Sequence, residues 1–298
     1  MLLKEIKNIF HKELDGSYDK AEVDSFFYLL IEHYLGLERF VLALQPNLTI
    51  NKKEEQPLFE ALAQLRLHRP IQYIIGKSHF MDMDFSVDGT VLIPRPETEE
   101  LVRWIIEELD PIKSPVRSKR STILDIGTGS GCIAVSLAKN LPNYEVHALD
   151  VSLGALHTAR SNAKANDVDV TFVEIDILDI ETSAVNSEDS TIEYDIMVSN
   201  PPYVREQEKK DMHKNVIDHE PGLALFVSDE NPLKFYEAIA TFASKKLKKN
   251  GSLYLEINQY LAKETEHLLR KHNLSEIELR KDMFGNFRMM KGVNLKLD

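Results

Sequence analysis

Residues 123–150 constrain the fold of this chain more tightly than any other stretch. Ile123-Leu124-Asp125-Ile126 reads as a buried strand, and Gly127-Thr128-Gly129-Ser130-Gly131 follows it directly. Glycines at such a place permit a tight turn and let a ligand approach bare backbone. Cys132 to Ala138 reads as an apolar helix, and Glu145-Val146-His147-Ala148-Leu149-Asp150 as a second strand that ends in an acid. Strand, glycine turn, helix, strand and terminal acid together describe a βαβ unit. In nucleotide-binding units of this kind, an acid about twenty residues past the turn takes a ribose hydroxyl pair, and Asp150 stands there. No Gly-Lys-Ser/Thr follows the glycines, so the turn is not a P-loop. It is not G-x-G-x-x-G either, because the third glycine arrives one residue early. A cofactor without a pyrophosphate suits it better.

The second constraint is Tyr194-Asp195-Ile196-Met197-Val198-Ser199, a buried strand that runs into the corner Asn200-Pro201-Pro202-Tyr203. Neither proline has an N–H and each fixes its own φ, while Asn200 and Pro201 are held extended by the proline that follows. In an open α/β sheet the carboxyl end of a strand is where ligands bind. The corner offers uncharged acceptors there, the Asn200 side-chain oxygen and the Pro201 carbonyl, which suit the two hydrogens of a planar NH2 group. Tyr203 can lay its ring on the flat face of the same group. The plainer alternative is a Pro-Pro turn that merely ends a strand.

At 298 residues the chain has room for roughly two domains. Leu2 to about Ile75 is helical in pattern, with Phe26, Phe27, Leu30 and Ile31 at helical spacing, Gly36 as a stop and Pro57 in a helix's first turn. Phe80 to Val87 alternates, Asp88-Gly89 makes a turn and Val91-Leu92-Ile93 follows, which predicts a hairpin. Pro94-Arg95-Pro96-Glu97-Thr98 is then a stiff elbow into a helix that ends near Leu109. A polar segment, Asp110 to Ser121, precedes the glycine-loop strand. After it come a helix over Leu153 to Asn166, a strand to Ile175 followed by Asp176 and Ile177, and a polar loop from Glu181 to Glu193. Beyond the corner, Arg205 to Asn215 is charged and irregular, a natural lid. Pro232 to Leu247 is helical, Asn250-Gly251 turns into the strand Ser252 to Ile257, and two late strands close the chain.

Charge and cysteine content exclude some classes. A net charge of -12 argues against affinity built on phosphate contacts. The single Cys132 has no internal disulfide partner, which suits a reducing compartment, and no signal peptide or membrane span is visible, so a cytoplasmic protein is expected. The ten histidines form no H-x-x-x-H pair, and one cysteine makes no structural zinc site, so no metal is expected. Asp176 and Asp179 read as a solvated loop edge rather than a cation site.

The glycine loop, Asp150 and the Asn200 corner together look like a class I S-adenosyl-L-methionine-dependent methyltransferase acting on an amino group. With Arg69 to Gly76, Leu92 to Glu100, His219-Glu220-Pro221 and Asp282 to Arg288, the chain resembles the HemK/PrmC family of peptide-chain-release-factor glutamine N5-methyltransferases. The resemblance implies a Rossmann-like sheet of seven strands, the last antiparallel, preceded by an all-α substrate-recognition domain. The boundaries expected are 1–76 for that domain, 77–96 for a β-hairpin connector and 97–298 for the methyltransferase domain. It implies that Asp125, Gly127, Thr128, Gly129, Ser130, Gly131, Asp150, Asp176, Ile177 and Asn200 hold the cofactor, with S-adenosyl-L-homocysteine as product. It implies that Asn200, Pro201, Pro202 and Tyr203, with Arg95 and Thr98 nearby, hold the glutamine of a Gly-Gly-Gln loop in class I release factors. A monomer is expected. Two departures stand out: Ile177 where an aromatic often packs on adenine, and Asn258 where glycine is common. Ribosomal-protein glutamine methylation and nucleic-acid N6-adenine or N2-guanine methylation are the alternatives, and a binding module without catalysis is a third.

Overall fold

The structure, a computed structural model, describes residues 1–109, 121–180 and 192–295. Most of the polar segment from Asp110, and most of the polar loop from Glu181, lie outside the described residues. The chain divides into two compact units, Met1–Lys77 with His213–His219, and Ser78–Met212 with Glu220–Asp298.

The first unit is helical: α1 (Leu3–Leu14), α2 (Lys20–Leu35), α3 (Val41–Leu44), α4 (Lys52–Arg66) and α5 (Ile71–Ile75). Leu3, Ile6, Phe10 and Leu14 make one buried stripe at helical period, and Val23, Phe27, Leu30 and Ile31 make the stripe it meets. Gly36 ends α2 in the left-handed conformation at φ 64°, as its position in the sequence implies. Pro57 is not in a first turn. Asn51 caps α4 by accepting from the Lys53 and Glu54 amides, while the Glu54 side chain returns to the Asn51 amide. That capping box starts the helix five residues before the proline. The residue that loses its helical donor to Pro57, Lys53, is exposed, which leaves its carbonyl open to solvent and makes the proline cheap there.

After α5 a hairpin pairs β1 (Lys77–Phe80) with β2 (Met83–Ser86). Its turn is Met81-Asp82, both at positive φ (50° and 59°), as a two-residue hairpin turn requires. The expected Asp88-Gly89 hairpin is corrected. Asp88 Oδ1 accepts from the Thr90 amide at 2.8 Å and closes a local turn, and Val91–Ile93 forms no strand. The Ile93 amide donates instead to Glu220 Oε2, at 3.3 Å.

Then follow α6 (Pro96–Leu109), β3 (Ser121–Ile126), α7 (Cys132–Asn140), β4 (Tyr144–Asp150), α8 (Leu153–Ala165), β5 (Thr171–Glu174) and β6 (Tyr194–Ser199). After β6 come β7 (Val204–Arg205), α9 (Lys214–His219) and β8 (Phe226–Val227), then α10 (Lys234–Lys246), β9 (Leu247–Glu256), α11 (Ala262–Lys271), β10 (Leu274–Lys281) and β11 (Phe287–Asn294). The main sheet has seven strands in the order β10-β11-β9-β6-β3-β4-β5. The five from β9 to β5 are parallel, and β11 is antiparallel to both its neighbours. Alternate residues of β3 face opposite ways. Ile123 buries against α6 and α7 through Leu101, Ile105 and Leu137, whereas Leu124 and Ile126 bury against α10 and α11 through Ile239, Ala243 and Leu268.

Asn250-Gly251 lies inside β9 and does not precede it. The register against β6 jumps between Tyr194↔Leu247 and Ile196↔Ser252, so the pair forms a bulge. A Cβ on Gly251 would come within 2.9 Å of the Asp195 and Lys248 carbonyl oxygens. The segment read as an irregular lid is ordered. It forms a 3-10 helix, Glu206–Asp211, whose Glu208 carboxylate accepts from the Arg205 amide at 2.9 Å and from Asn258 Nδ2 at 2.9 Å.

Candidate active site

β3 lies between β4 and β6, so the chain leaves β3 to one side and later returns on the other. This switch point opens a crevice at the carboxyl ends of the strands. The glycine loop follows β3 and the Asn200 corner follows β6. Together they wall a cavity of about 300 Å³, lined also by Thr90–Leu92, by the Arg95 elbow and by the start of α10.

On the β3 side, the loop is held from below and from the flank. Asp125 is fully buried and takes no part in the cavity wall. Its Oδ2 accepts from the Thr128 hydroxyl at 2.6 Å and the Ala134 amide at 3.2 Å, which ties the loop's start to the first turn of α7. Burial pushes the Asp125 carboxyl up to about 7, against these two donors and with the Asp150 charge adding to the rise. Asn162 on α8 donates to the Ser130 carbonyl at 2.9 Å and to the Ser86 carbonyl at 3.0 Å. Gly127, Thr128, Gly129 and Ser130 line the cavity, and Gly131 does not.

Gly131 is a packing residue. At φ +80° its missing Cβ would stand 3.0 Å from Ala159 Cβ on α8. Gly129, at φ +55°, has nothing within 4 Å of that position. Gly131→Ala is therefore expected to cost about 2–3 kcal/mol, left-handed strain plus overpacking. Gly129→Ala is expected to cost about 1 kcal/mol from strain alone. Urea midpoints of the two variants check the difference.

Asp150 closes β4 with both oxygens engaged. Oδ2 accepts from the Gly129 amide at 2.8 Å and Oδ1 from the Ser152 amide at 2.9 Å. Burial raises its pKa above the ordinary value, although the Ser152 and Gly129 amides pull the other way. Each carboxylate oxygen keeps a further lone pair for a donor in the cavity. Beyond it, Val151, Ile175, Ile177 and Leu178 form an apolar wall. Asp176 also lines the cavity, and its Oδ1 caps the turn over Ile177–Asp179 by accepting from the Leu178 amide at 2.8 Å.

On the β6 side, Asn200, Pro201 and Pro202 line the cavity together with Thr98 and Arg95. Asn200 Nδ2 donates to Thr98 Oγ1 at 3.1 Å, and the Thr98 hydroxyl donates to Glu256 Oε2 at 2.6 Å. Among the described residues nothing donates to the Asn200 side-chain oxygen or the Pro201 carbonyl. Arg95 is held at 2.6 Å by the buried Glu220 carboxylate. Tyr203 is not part of the cavity wall. Its hydroxyl donates to Glu256 Oε1 at 2.9 Å and accepts from Arg288 Nη1 at 3.2 Å, so its side chain braces the corner from behind. Burial lifts the Tyr203 pKa well above its usual value, and the neighbouring Glu256 charge adds to the rise.

Sequence reasoning alone does not single out Glu256, Glu220, Arg288 or Asn258 as site residues. Glu256 left one signal, an acid at the end of an apolar strand neighbouring β6. Glu256 is 1% exposed, and burial raises its pKa while Thr98, Tyr203 and Arg288 oppose the rise. Asn258 does not disturb its loop. It sits at φ -67°, a conformation any residue adopts, and Nδ2 donates to the Tyr203 carbonyl at 3.0 Å.

Two family descriptions match the chain: PrmC N-terminal domain over residues 5–76 and Methyltransferase small domain over residues 105–222. The release factor glutamine methyltransferase of Flavobacterium psychrophilum is 50% identical over 291 residues, covering 98% of this chain and 99% of that one. The chain belongs to the release factor glutamine methyltransferase family. A member from Streptococcus pneumoniae is 40% identical, over 97% of this chain and 98% of its own. This HemK/PrmC membership makes the protein a methyltransferase.

Solved structures agree in fold. The hMettl16 catalytic domain in complex with the MAT2A 3'UTR hairpin 6 superposes with a TM-score of 0.52 at 16% identity, covering 87% of this chain and 92% of that one. The T. thermophilus 16S rRNA N2 G1207 methyltransferase in complex with AdoMet and guanosine gives 0.50 at 18%, covering 73% and 49%. The class I methyltransferase fold, a seven-stranded sheet together with a helical N-terminal unit, is the one the family resemblance implies. Among the described residues no helix is long and apolar enough to cross a membrane.

Proposed function

We propose that this protein methylates the side-chain nitrogen of the glutamine in the Gly-Gly-Gln loop of class I release factors, using S-adenosyl-L-methionine. The observation that carries the reading is Asn200. Its carboxamide is pinned through nitrogen by Thr98, which leaves its oxygen and the Pro201 carbonyl as uncharged acceptors beside the glycine loop.

The residues present fit the cofactor. Gly127 and Gly129, at positive φ with open space where a Cβ would be, leave the loop backbone bare for its methionine part. Asp150 has lone pairs remaining for two ribose hydroxyls. Val151, Ile175, Ile177 and Leu178 offer an apolar slot for a flat base, with contact in place of the aromatic stacking common in the family. When bound, S-adenosyl-L-methionine supplies an electrophilic methyl carbon on its sulfonium and is left as S-adenosyl-L-homocysteine.

Asn200 Oδ1 and the Pro201 carbonyl accept the two hydrogens of the glutamine carboxamide and aim its nitrogen. They also stabilise the positive charge that grows on that nitrogen as the N–C bond forms. The N-methylated amide is strongly acidic at this point and gives its proton to water, so the chain supplies no general base. Holding nucleophile and electrophile in line is worth roughly 7–11 kcal/mol in well-oriented intramolecular reactions. Pro201 and Pro202 keep that alignment rigid. The helical unit grips the body of the release factor, and the enzyme acts as a monomer in the cytoplasm where its substrate works.

The test is direct. Purified protein, labelled cofactor and a class I release factor are incubated, and mass spectrometry locates the label. One methyl on the Gly-Gly-Gln glutamine is expected. Label instead on a ribosomal protein, or on duplex DNA or RNA, with the release factor unmodified, overturns the assignment.

A further inference from the structure

The two ends of the Asn200 carboxamide have nearly the same shape, so only its hydrogen-bond partner decides which end faces the substrate. That partner is Thr98, and a threonine hydroxyl has one proton to give. Here it goes to Glu256 Oε2 at 2.6 Å, so the Thr98 oxygen is left to accept, and Asn200 Nδ2 answers it at 3.1 Å. The other Glu256 oxygen takes the Tyr203 hydroxyl at 2.9 Å, and the Tyr203 oxygen in turn takes Arg288 Nη1 at 3.2 Å. Arg288 is fixed by Asp282, whose Oδ2 lies 3.2 Å from Arg288 Nε. From Asn200 and from Arg288 Nη1 inward, each proton of this relay points toward Glu256, and the polarity ends with an oxygen at the substrate side of Asn200. Glu256 itself lies outside the cavity wall.

We propose that Glu256 is a positioning residue which, through the Thr98 hydroxyl, sets the orientation of the Asn200 carboxamide and so makes the site select a carboxamide over a carboxylate. The inference rests on the reading of Asn200 as the glutamine holder. Glu256→Gln tests the polarity directly. The Tyr203 oxygen already accepts from Arg288, so the oxygen of the substituted carboxamide faces Tyr203 and its NH2 faces Thr98. The Thr98 proton then turns to Asn200, whose amide turns over and presents NH2 to the substrate. Two NH2 groups meeting head-on repel, whereas a carboxylate in the same place is welcomed.

The experiment uses the full chain with a release factor carrying Gly-Gly-Gln and the same factor carrying Gly-Gly-Glu. For Glu256→Gln, kcat/KM on the glutamine form is expected to fall on the order of 10²-fold. The dissociation constant for S-adenosyl-L-methionine should stay within about twofold, since no cofactor-side residue is altered. The decisive readout is the ratio of dissociation constants for the two release factors, which moves toward the glutamate form in the variant. A general loosening of the site weakens both factors alike and overturns the proposal. Thr98→Val supplies a second route if Glu256→Gln folds poorly. It keeps the Glu256–Tyr203 bond but cuts the relay, so the ratio should drift toward parity and Thr98→Ser should bring it back. Equal ratios in the valine and serine variants also overturn the proposal. A wild-type enzyme that leaves the glutamine unmethylated sinks the functional reading, and this inference with it.

Discussion

Replacing Asn200 with alanine is expected to lower kcat on the release factor by on the order of 10²–10³-fold while the cofactor still binds. The size follows from what is removed. On the proposed reading, Asn200 Oδ1 and the Pro201 carbonyl are the two acceptors that hold the substrate amide, and without Oδ1 the nitrogen rotates away from the line of attack. The loss is not one of folding. Deleting the side chain takes a donor from Thr98 Oγ1, but the Thr98 hydroxyl still reaches Glu256, so no buried charge is orphaned. A single lost hydrogen bond of this kind costs about 1 kcal/mol. Single-turnover transfer rates, with cofactor binding followed by calorimetry, separate the two effects. Turnover within a fewfold of wild type would show that another group holds the amide.

The sequence made the site's two anchors legible because each is local. A glycine loop between two apolar strands, and two consecutive prolines after a third, carry their geometry within a few residues. The cavity brings both together, with Arg95 and Thr98 beside them. What the sequence hid is non-local. Thr98 and Glu256 are 158 positions apart, and Arg95 and Glu220 are 125 apart, so no local pattern pairs them. The partners of Tyr203 are hidden for the same reason, since Glu256 and Arg288, which hold its hydroxyl, lie far along the chain.

Turn chemistry misleads in two places of one kind. Asp88-Gly89 and Asn250-Gly251 are strong hairpin dipeptides, yet the first closes an Asp88–Thr90 turn and the second a bulge within β9. The true hairpin turn uses Met81-Asp82, where the pairing of β1 with β2 imposes positive φ on residues that do not seek it.

Asp150→Ala should produce the complementary defect. If Asp150 takes two charge-assisted bonds from ribose hydroxyls, each worth about 1.5–3 kcal/mol, their loss should weaken cofactor binding on the order of 10²–10⁴-fold. The same substitution frees the Gly129 and Ser152 amides, which lose their acceptor at 2.8 and 2.9 Å. Loop collapse is therefore a competing cause. The two are separated by kcat at saturating cofactor. If Asp150 acts through the ribose, enough cofactor refills the site, and the glutamine meets an intact Asn200 corner, so kcat recovers to within a fewfold of wild type. If the loop has collapsed, the methyl is misplaced even when the cofactor is bound, and kcat stays low. Calorimetric titration supplies the binding constant independently of turnover. Near-wild-type affinity for S-adenosyl-L-methionine in this variant would remove Asp150 from the ribose role. One variant that fails in kcat and another that fails in affinity would show that β6 carries the acceptor chemistry while β4 carries the cofactor. The switch point at β3 holds the two within reach of one another, because the chain places β4 on one side of that strand and β6 on the other.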